Sequence, residues 1–214
     1  MKIKICGLKR IADVDYVNQC MPDWIGFVFA GTKRKIDFET AEVLKQRLNP
    51  EIKTVGVFVN EEVSFIANLV TEGILDMIQL HGDEDEEYII KLQKSLMEHN
   101  QTDIPITKAV RVQSKEQILE AEKLSVDYLL LDAFKEDEYG GSGKVFDHKL
   151  IPKLQKSFIL AGGIAEKNVI GILEELKKRD KIPCCVDVSS SVETNGYKDK
   201  MKIGKIVEIV RNWE

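Results

Sequence analysis

YLLLDAFKEDEYGGSGKVFDH, residues 128–148, opens on an apolar run, places a carboxylate at its end (Asp132) and continues through an acidic loop to Gly140-Gly141-Ser142-Gly143 and Lys144. An apolar run this short, bounded by a glycine cluster, reads as a buried strand rather than a piece of helix. A carboxylate at the mouth of a strand is a proton-transfer tool, and a glycine run beside it lets backbone N–H groups approach an anion. Strands often end in Asp and loops often contain glycine. The stretch therefore points to function only if the rest of the chain brings partners to the same end.

Seven further runs of the same kind lie at 3–6, 24–29, 54–59, 77–81, 106–112, 158–162 and 184–189. Between and after them, apolar residues recur at helical spacing, as in Ala41/Leu44/Leu48, Val63/Ile66/Leu69/Val70, Leu150/Ile151/Leu154 and Val169/Ile170/Leu173/Leu176. Asp37 is placed to cap the second helix, and Ser114 with Gln117 offers a capping box for the fifth. Eight β-α repeats, in a chain a little short of the ~250 residues usual for the architecture, point to an α/β fold with one compact (β/α)8 TIM barrel domain over 1–214. An open doubly wound sheet is the alternative, but no dinucleotide fingerprint supports it. The acidic run 83–87 and the charged stretch 177–181 read as solvated faces.

With 214 residues, 43% hydrophobic content and a net charge of -5, the chain has enough apolar surface for a large core. It lacks the clustered basic surface that nucleic acid or an anionic membrane would need. The first residues hold no cleavage-type segment, and no run approaches a membrane span, so a cytoplasmic protein is expected. Cys6, Cys20, Cys184 and Cys185 have no zinc-site spacing and read as reduced thiols, the adjacent pair as small core residues. No metal is expected.

In a barrel of this kind the active site lies at the C-terminal ends of the strands. Those ends carry Cys6, Gln79, His81, Asp132, Asp187 and Ser189, and alternation puts Lys4 on the face of Cys6, Gln79 on that of His81, and Asp187 on that of Ser189. Polar groups confined to strand ends are costly to bury unless they serve a purpose. The loops after strands 6, 7 and 8 offer small residues for an anion: Gly140–Gly143, Gly162-Gly163, and Ser189-Ser190-Ser191. GGSGK is not a P-loop, because Val145 follows Lys144 and no glycine stands five residues before Gly143, which argues against a nucleoside triphosphate.

Several segments in order resemble the phosphoribosylanthranilate isomerase family of tryptophan biosynthesis. They are Lys4-Ile5-Cys6-Gly7, Gly26-Phe27-Val28-Phe29 with Lys33-Arg34, Val55-Gly56-Val57-Phe58-Val59-Asn60, Gln79-Leu80-His81-Gly82, Asp132, Gly140-Gly141-Ser142-Gly143-Lys144, Leu160-Ala161-Gly162-Gly163-Ile164 and Asp187-Val188-Ser189-Ser190 with Val192-Glu193. The resemblance implies an Amadori rearrangement on a (β/α)8 barrel, with no cofactor. It implies Asp132 as general acid and Cys6 as general base, and Arg34 as the clamp for the anthranilate carboxylate. Asp187, Gln79 and His81 are implied as further substrate contacts. Phosphate would rest on Gly141, Ser142, Gly143, Gly162, Gly163, Ser190 and Ser191. A small phosphosugar is the implied partner, with a monomer or homodimer as the assembly. The chain departs from the family's usual pattern at Ser191 (glycine), His148 (tryptophan) and Thr32 (serine).

Other readings fit less well. A ribulose-phosphate epimerase would want metal-ligand histidines and paired aspartates, which the scattered His81, His99 and His148 do not supply. An indole-glycerol-phosphate synthase would want Lys and Glu at strand ends, and Glu is absent there. A phosphosugar-binding protein without activity would have no reason to keep both Cys6 and Asp132.

Overall fold

The computed structural model describes residues 1–31, 33–133 and 146–213. Eight parallel strands close into a barrel in sequence order: β1 (Lys2–Cys6), β2 (Trp24–Val28), β3 (Lys53–Phe58), β4 (Met77–Leu80), β5 (Ile106–Val112), β6 (Tyr128–Ala133), β7 (Ser157–Leu160) and β8 (Cys185–Val188). The seam is a pairing of β1 with β8, with Lys4 opposite Asp187. This closed sheet is the (β/α)8 architecture expected from the repeat. Among the described residues no helix is long and apolar enough to cross a membrane.

Among the described residues seven α-helices surround the strands: α1 (Ile11–Cys20), α2 (Phe38–Arg47), α3 (Val63–Thr71), α4 (Glu86–Glu98), α5 (Lys115–Glu122), α6 (Val169–Lys178) and α7 (Lys200–Arg211). Asp37 accepts from the Thr40 amide at 2.9 Å and Ser114 from that of Gln117 at 3.4 Å, so both N-caps form, while Gln117 Oε1 takes the Gln113 amide at 2.9 Å instead of closing the box on Ser114. The helix expected through Leu150, Ile151 and Leu154 does not. In its place stands a three-residue 3-10 turn, His148–Leu150, after which Ile151 is extended (φ -66°, ψ 116°). Pro152 is the reason: it has no N–H to donate and bars its predecessor from helical geometry. Arg179 and Lys181, from the stretch read as a solvated face, donate to the carbonyls of His148 and Ile151 and secure that turn.

Alternation along each strand separates two cores. Outward residues such as Ile3, Ile5, Phe27, Phe58, Ile78 and Leu131 pack under the helices, while Trp24, Val55, Met77, Leu130, Ile159 and Cys185 fill the barrel interior. Cys185 is fully buried and Cys184 only half-buried, since the strand starts at Cys185.

The acidic run departs from expectation at one residue. Asp83, Asp85 and Glu87 are exposed, but Glu84 is buried, pairing with Lys108 of β5 at 2.7 Å and accepting from the amides of Asn60 (2.8 Å) and Gly82 (2.9 Å). One carboxylate thus ties the chain just past β3 and β4 to Lys108 within β5. Lys108→Met should lower stability by about 3 kcal/mol in urea unfolding, the low end for breaking a buried ion pair because two amides still serve Glu84. A loss within the roughly 1 kcal/mol of a surface pair would contradict that role.

Candidate active site

The polar residues expected at the strand ends do converge inside the barrel mouth. Lys4 (β1), Gln79 (β4), Asp132 (β6), Asp187 (β8) and the adjoining Cys6 and His81 are all buried. The Lys4 ammonium donates to Gln79 Oε1 at 2.8 Å and to Asp187 Oδ2 at 2.9 Å. Gln79 Nε2 lies 2.9 Å from His81 Nδ1, and His81 Nε2 lies 3.4 Å from Asp132 Oδ2. A continuous polar chain therefore crosses the barrel, from Asp187 through Lys4, Gln79 and His81 to Asp132.

Burial works against the charge on Lys4, but the Asp187 carboxylate outweighs it and raises the ammonium above the ordinary lysine value. Burial pushes the Asp187 carboxyl up, opposed by Lys4. The Cys6 thiol is raised by burial, with Lys4, Lys198 and Arg34 pulling against that and Asp187 adding to it. At rest Cys6 is a thiol ringed by cations, the surroundings in which a thiolate gains most once formed.

Glycines make room for the side chains of Cys6 and Asp132. A Cβ on Gly26, the register partner of Cys6, would lie 2.7 Å from its sulfur. Gly162 has φ +80°, and a Cβ there would sit 2.5 Å from the Ala133 amide nitrogen and 3.0 Å from Asp132 Oδ1. That same amide donates to Asp132 Oδ1 at 2.8 Å, so the missing side chain protects the bond that holds the carboxylate.

Of the residues expected at an anion site, Gly162, Gly163, Ser190 and Ser191 line the loops after β7 and β8. Gly141, Ser142 and Gly143 lie outside the described residues. Ser190 and Ser191 open a 3-10 turn, Ser190–Val192, and neither has positive φ, so the serine at 191 is accommodated without strain. Ser189 Oγ donates to the Cys6 carbonyl at 3.0 Å, binding the end of β8 to that of β1.

Arg34 is not an isolated clamp. Its Nε and Nη2 donate to the two oxygens of Glu193 at 2.8 and 3.0 Å, and Lys198 donates to Glu193 at 2.8 Å and to the Ser189 carbonyl at 3.0 Å. Glu193 and Lys198 are register partners across a small hairpin, β9 (Glu193–Thr194) and β10 (Tyr197–Lys198), turned by Asn195-Gly196 at φ 52° and 77°. The Tyr197 ring carries Lys9 and Arg10 from the loop after β1, which seats the hairpin over the mouth. Sequence reasoning passed over Glu193 and Lys198 as site residues. An Asn-Gly pair between short β-prone segments is a strong hairpin signal and was the available clue. Among the described residues no group of His, Cys, Asp or Glu is arranged to hold a metal ion.

A closed β/α barrel whose mouth gathers a thiol, an imidazole, two carboxylates and small-residue loops belongs to the class of barrel enzymes that work by acid–base chemistry on small molecules. The family sequence profile described as N-(5'phosphoribosyl)anthranilate (PRA) isomerase matches residues 3–209, and the chain belongs to that family. It is 47% identical over 211 residues to the N-(5'-phosphoribosyl)anthranilate isomerase of Endomicrobium trichonymphae, covering 99% of this chain and 98% of the relative. The solved phosphoribosyl anthranilate isomerase of Thermotoga maritima superposes with a TM-score of 0.80 at 28% identity, covering both chains completely. A second solved isomerase, in complex with reduced 1-(o-carboxyphenylamino)-1-deoxyribulose 5-phosphate, superposes with a TM-score of 0.74 at 28% identity, again over the whole of both chains.

Glu193 makes one property of the mouth testable. Burial works against its charge, but Arg34 and Lys198 prevail and hold the carboxyl at about 2, below the ordinary 4.5. A depressed folded-state value stabilises above the unfolded one and loses that effect as pH falls through the folded one. Wild type should therefore lose stability between about pH 4.5 and 2, and Glu193→Gln should lose less over the same window. Parallel pH dependences in urea unfolding would contradict the ion-pair geometry.

Proposed function

We propose that this chain acts as one (β/α)8 domain, a phosphoribosylanthranilate isomerase of tryptophan biosynthesis. It converts N-(5'-phosphoribosyl)anthranilate to 1-(2-carboxyphenylamino)-1-deoxyribulose 5-phosphate. Family membership supports the reaction. The observation that supports the residue roles is that Cys6 on β1 and Asp132 on β6, separated by β7 and β8 in the closed sheet, both stand on the inner face at one barrel mouth.

Asp132 gives its proton to the furanose ring oxygen as the C1–O bond breaks, and the anthranilate nitrogen lone pair forms the C=N bond of an open-chain Schiff base. Cys6, its own proton first given up to solvent, removes as thiolate the proton from C2, and the C2–H electrons flow toward nitrogen to give an enolamine. Ketonisation delivers a proton to C1 and completes the shift. Each proton-transfer group contributes about 10²–10⁴ in rate.

Arg34, oriented by Glu193, receives the anthranilate carboxylate, a task suited to a guanidinium fork. Asp187 and His81 face the substrate from the polar chain, while Gln79, expected as a further contact, spends its amide on Lys4 and His81. The phosphate rests on Gly162, Gly163, Ser190 and Ser191 together with Gly141, Ser142 and Gly143. A solved neighbour is described as mutually generated monomers of the dimeric Thermotoga maritima isomerase, and a monomer or homodimer is carried over here.

Freshly prepared phosphoribosylanthranilate mixed with the purified protein should lose its anthranilate fluorescence at a rate proportional to enzyme. No enzyme-dependent change would refute the activity. Asp132→Asn and Cys6→Ser should each lower kcat by about 10² or more with little change in KM, and unchanged turnover in either would remove its role. Arg34→Met should raise KM chiefly; an unaltered KM would count against the clamp.

A further inference from the structure

We propose that Lys4 and Gln79 are positioning residues that hold His81 as the neutral tautomer with its proton on Nε2, aiming an N–H at Asp132. The inference deepens the function above and rests on Asp132 as the general acid.

Hydrogen-bond inventory alone decides the orientation of each group. An ammonium has donors and no acceptor, so the Gln79 atom 2.8 Å from Lys4 Nζ is the amide oxygen. The amide NH2, which only donates, is thereby turned to His81 Nδ1 at 2.9 Å. Nδ1 must then present its lone pair, and the ring proton resides on Nε2. Forming an imidazolium would set an Nδ1–H against an NH2 group. Flipping Gln79 to accept it would set that NH2 against the Lys4 ammonium, which Asp187 holds charged at 2.9 Å. Asp187 and Lys4 thus act on His81 through one amide.

His81 Nε2 is buried and makes no hydrogen bond among the described residues, and at 3.4 Å it stands beyond normal reach of Asp132 Oδ2. A buried donor without a partner is costly, and the acceptor 3.4 Å away is the proposed acid. Once Asp132 has given its proton to the ring oxygen, it is a carboxylate, and the His81 N–H closes on it. The bond is strongest after proton transfer, so it favours the transfer itself. Asp132 is also fixed by the Ala133 amide on its other oxygen, which leaves Oδ2 to answer His81.

Long-range 1H–15N NMR of the imidazole rings reads the tautomer directly, with His81 assigned from a His81→Asn sample and His99 and His148 as internal references. Wild type at neutral pH should show His81 with Nδ1 unprotonated and Nε2 protonated. The isosteric Gln79→Glu offers an acceptor to both Lys4 and the ring, so it should place a proton on Nδ1. It should also lower kcat by about 10–100-fold, the size of effect orienting partners exert elsewhere, with a much smaller change in KM. Lys4→Met frees the amide to flip and should give a mixture of the two tautomers.

A wild-type spectrum with Nδ1 protonated would overturn the proposal, as would an unchanged His81 spectrum in Gln79→Glu. An altered tautomer with wild-type kcat would overturn the positioning role while leaving Asp132→Asn free to test the acid. The spectrum needs no turnover, so failure of the tautomer lock and failure of the acid assignment are seen separately.

Discussion

The ion pair between Lys4 and Asp187 is the constraint around which the barrel and its site are arranged. Removing an ammonium and a carboxylate from water costs several kcal/mol each, and their attraction offsets this only when geometry is close and the remaining valences are met. Here the contact is 2.9 Å and Gln79 supplies a second acceptor at 2.8 Å. The two residues are register partners at the seam where β8 meets β1. Because side chains alternate, a one-residue slip of either strand would turn its charge into the apolar layer beneath the helices and leave the other charge unpaired. Closure of the sheet and assembly of the polar layer are therefore one event.

That pair also divides the interior by depth. Below it lie Trp24, Met77, Leu130 and Cys185, a dry floor in which the charges interact strongly. Above it stand Cys6, His81 and Ser189, each two residues along the same strand face. The hairpin adds a second charged layer from outside, where Glu193 joins Arg34 to Lys198. Cys6 lies between the two layers, where burial raises its thiol and cations from both layers offset part of that rise.

Much of this was legible in the residues because strand alternation is a strict rule. Ile3 and Ile5 face out, so Lys4 and Cys6 share the inner face, and a lysine in the middle of an apolar strand is conspicuous. The link from Lys4 to Gln79 was not legible, since β1 and β4 meet only across the barrel interior. Local pattern misled at Leu150, where helical spacing was present but Pro152 ended it. It misled again at Glu84, whose acidic neighbours are exposed. Burial of that one carboxylate depends on Lys108 folding in from another strand. Ser191 shows a different limit: whether a position needs glycine depends on its φ, and a 3-10 turn there removes the need.

Cys6 and Asp132 are accommodated by the same structural device, an absent side chain on the neighbouring strand or loop. Gly26 leaves space for the Cys6 sulfur, and Gly162 leaves space for the Asp132 carboxylate and the amide that holds it. At Gly26 a methyl group would press on the thiol, forcing an off-rotamer side chain or a shift of β2. At Gly162 the obstacle is backbone, which cannot rotate away, and the positive φ adds strain of its own. Proton transfer depends on placement to within a fraction of an ångström. The two glycines thus belong to the proposed chemistry as much as to the fold, since the positions of the Cys6 sulfur and the Asp132 carboxylate depend on what they lack.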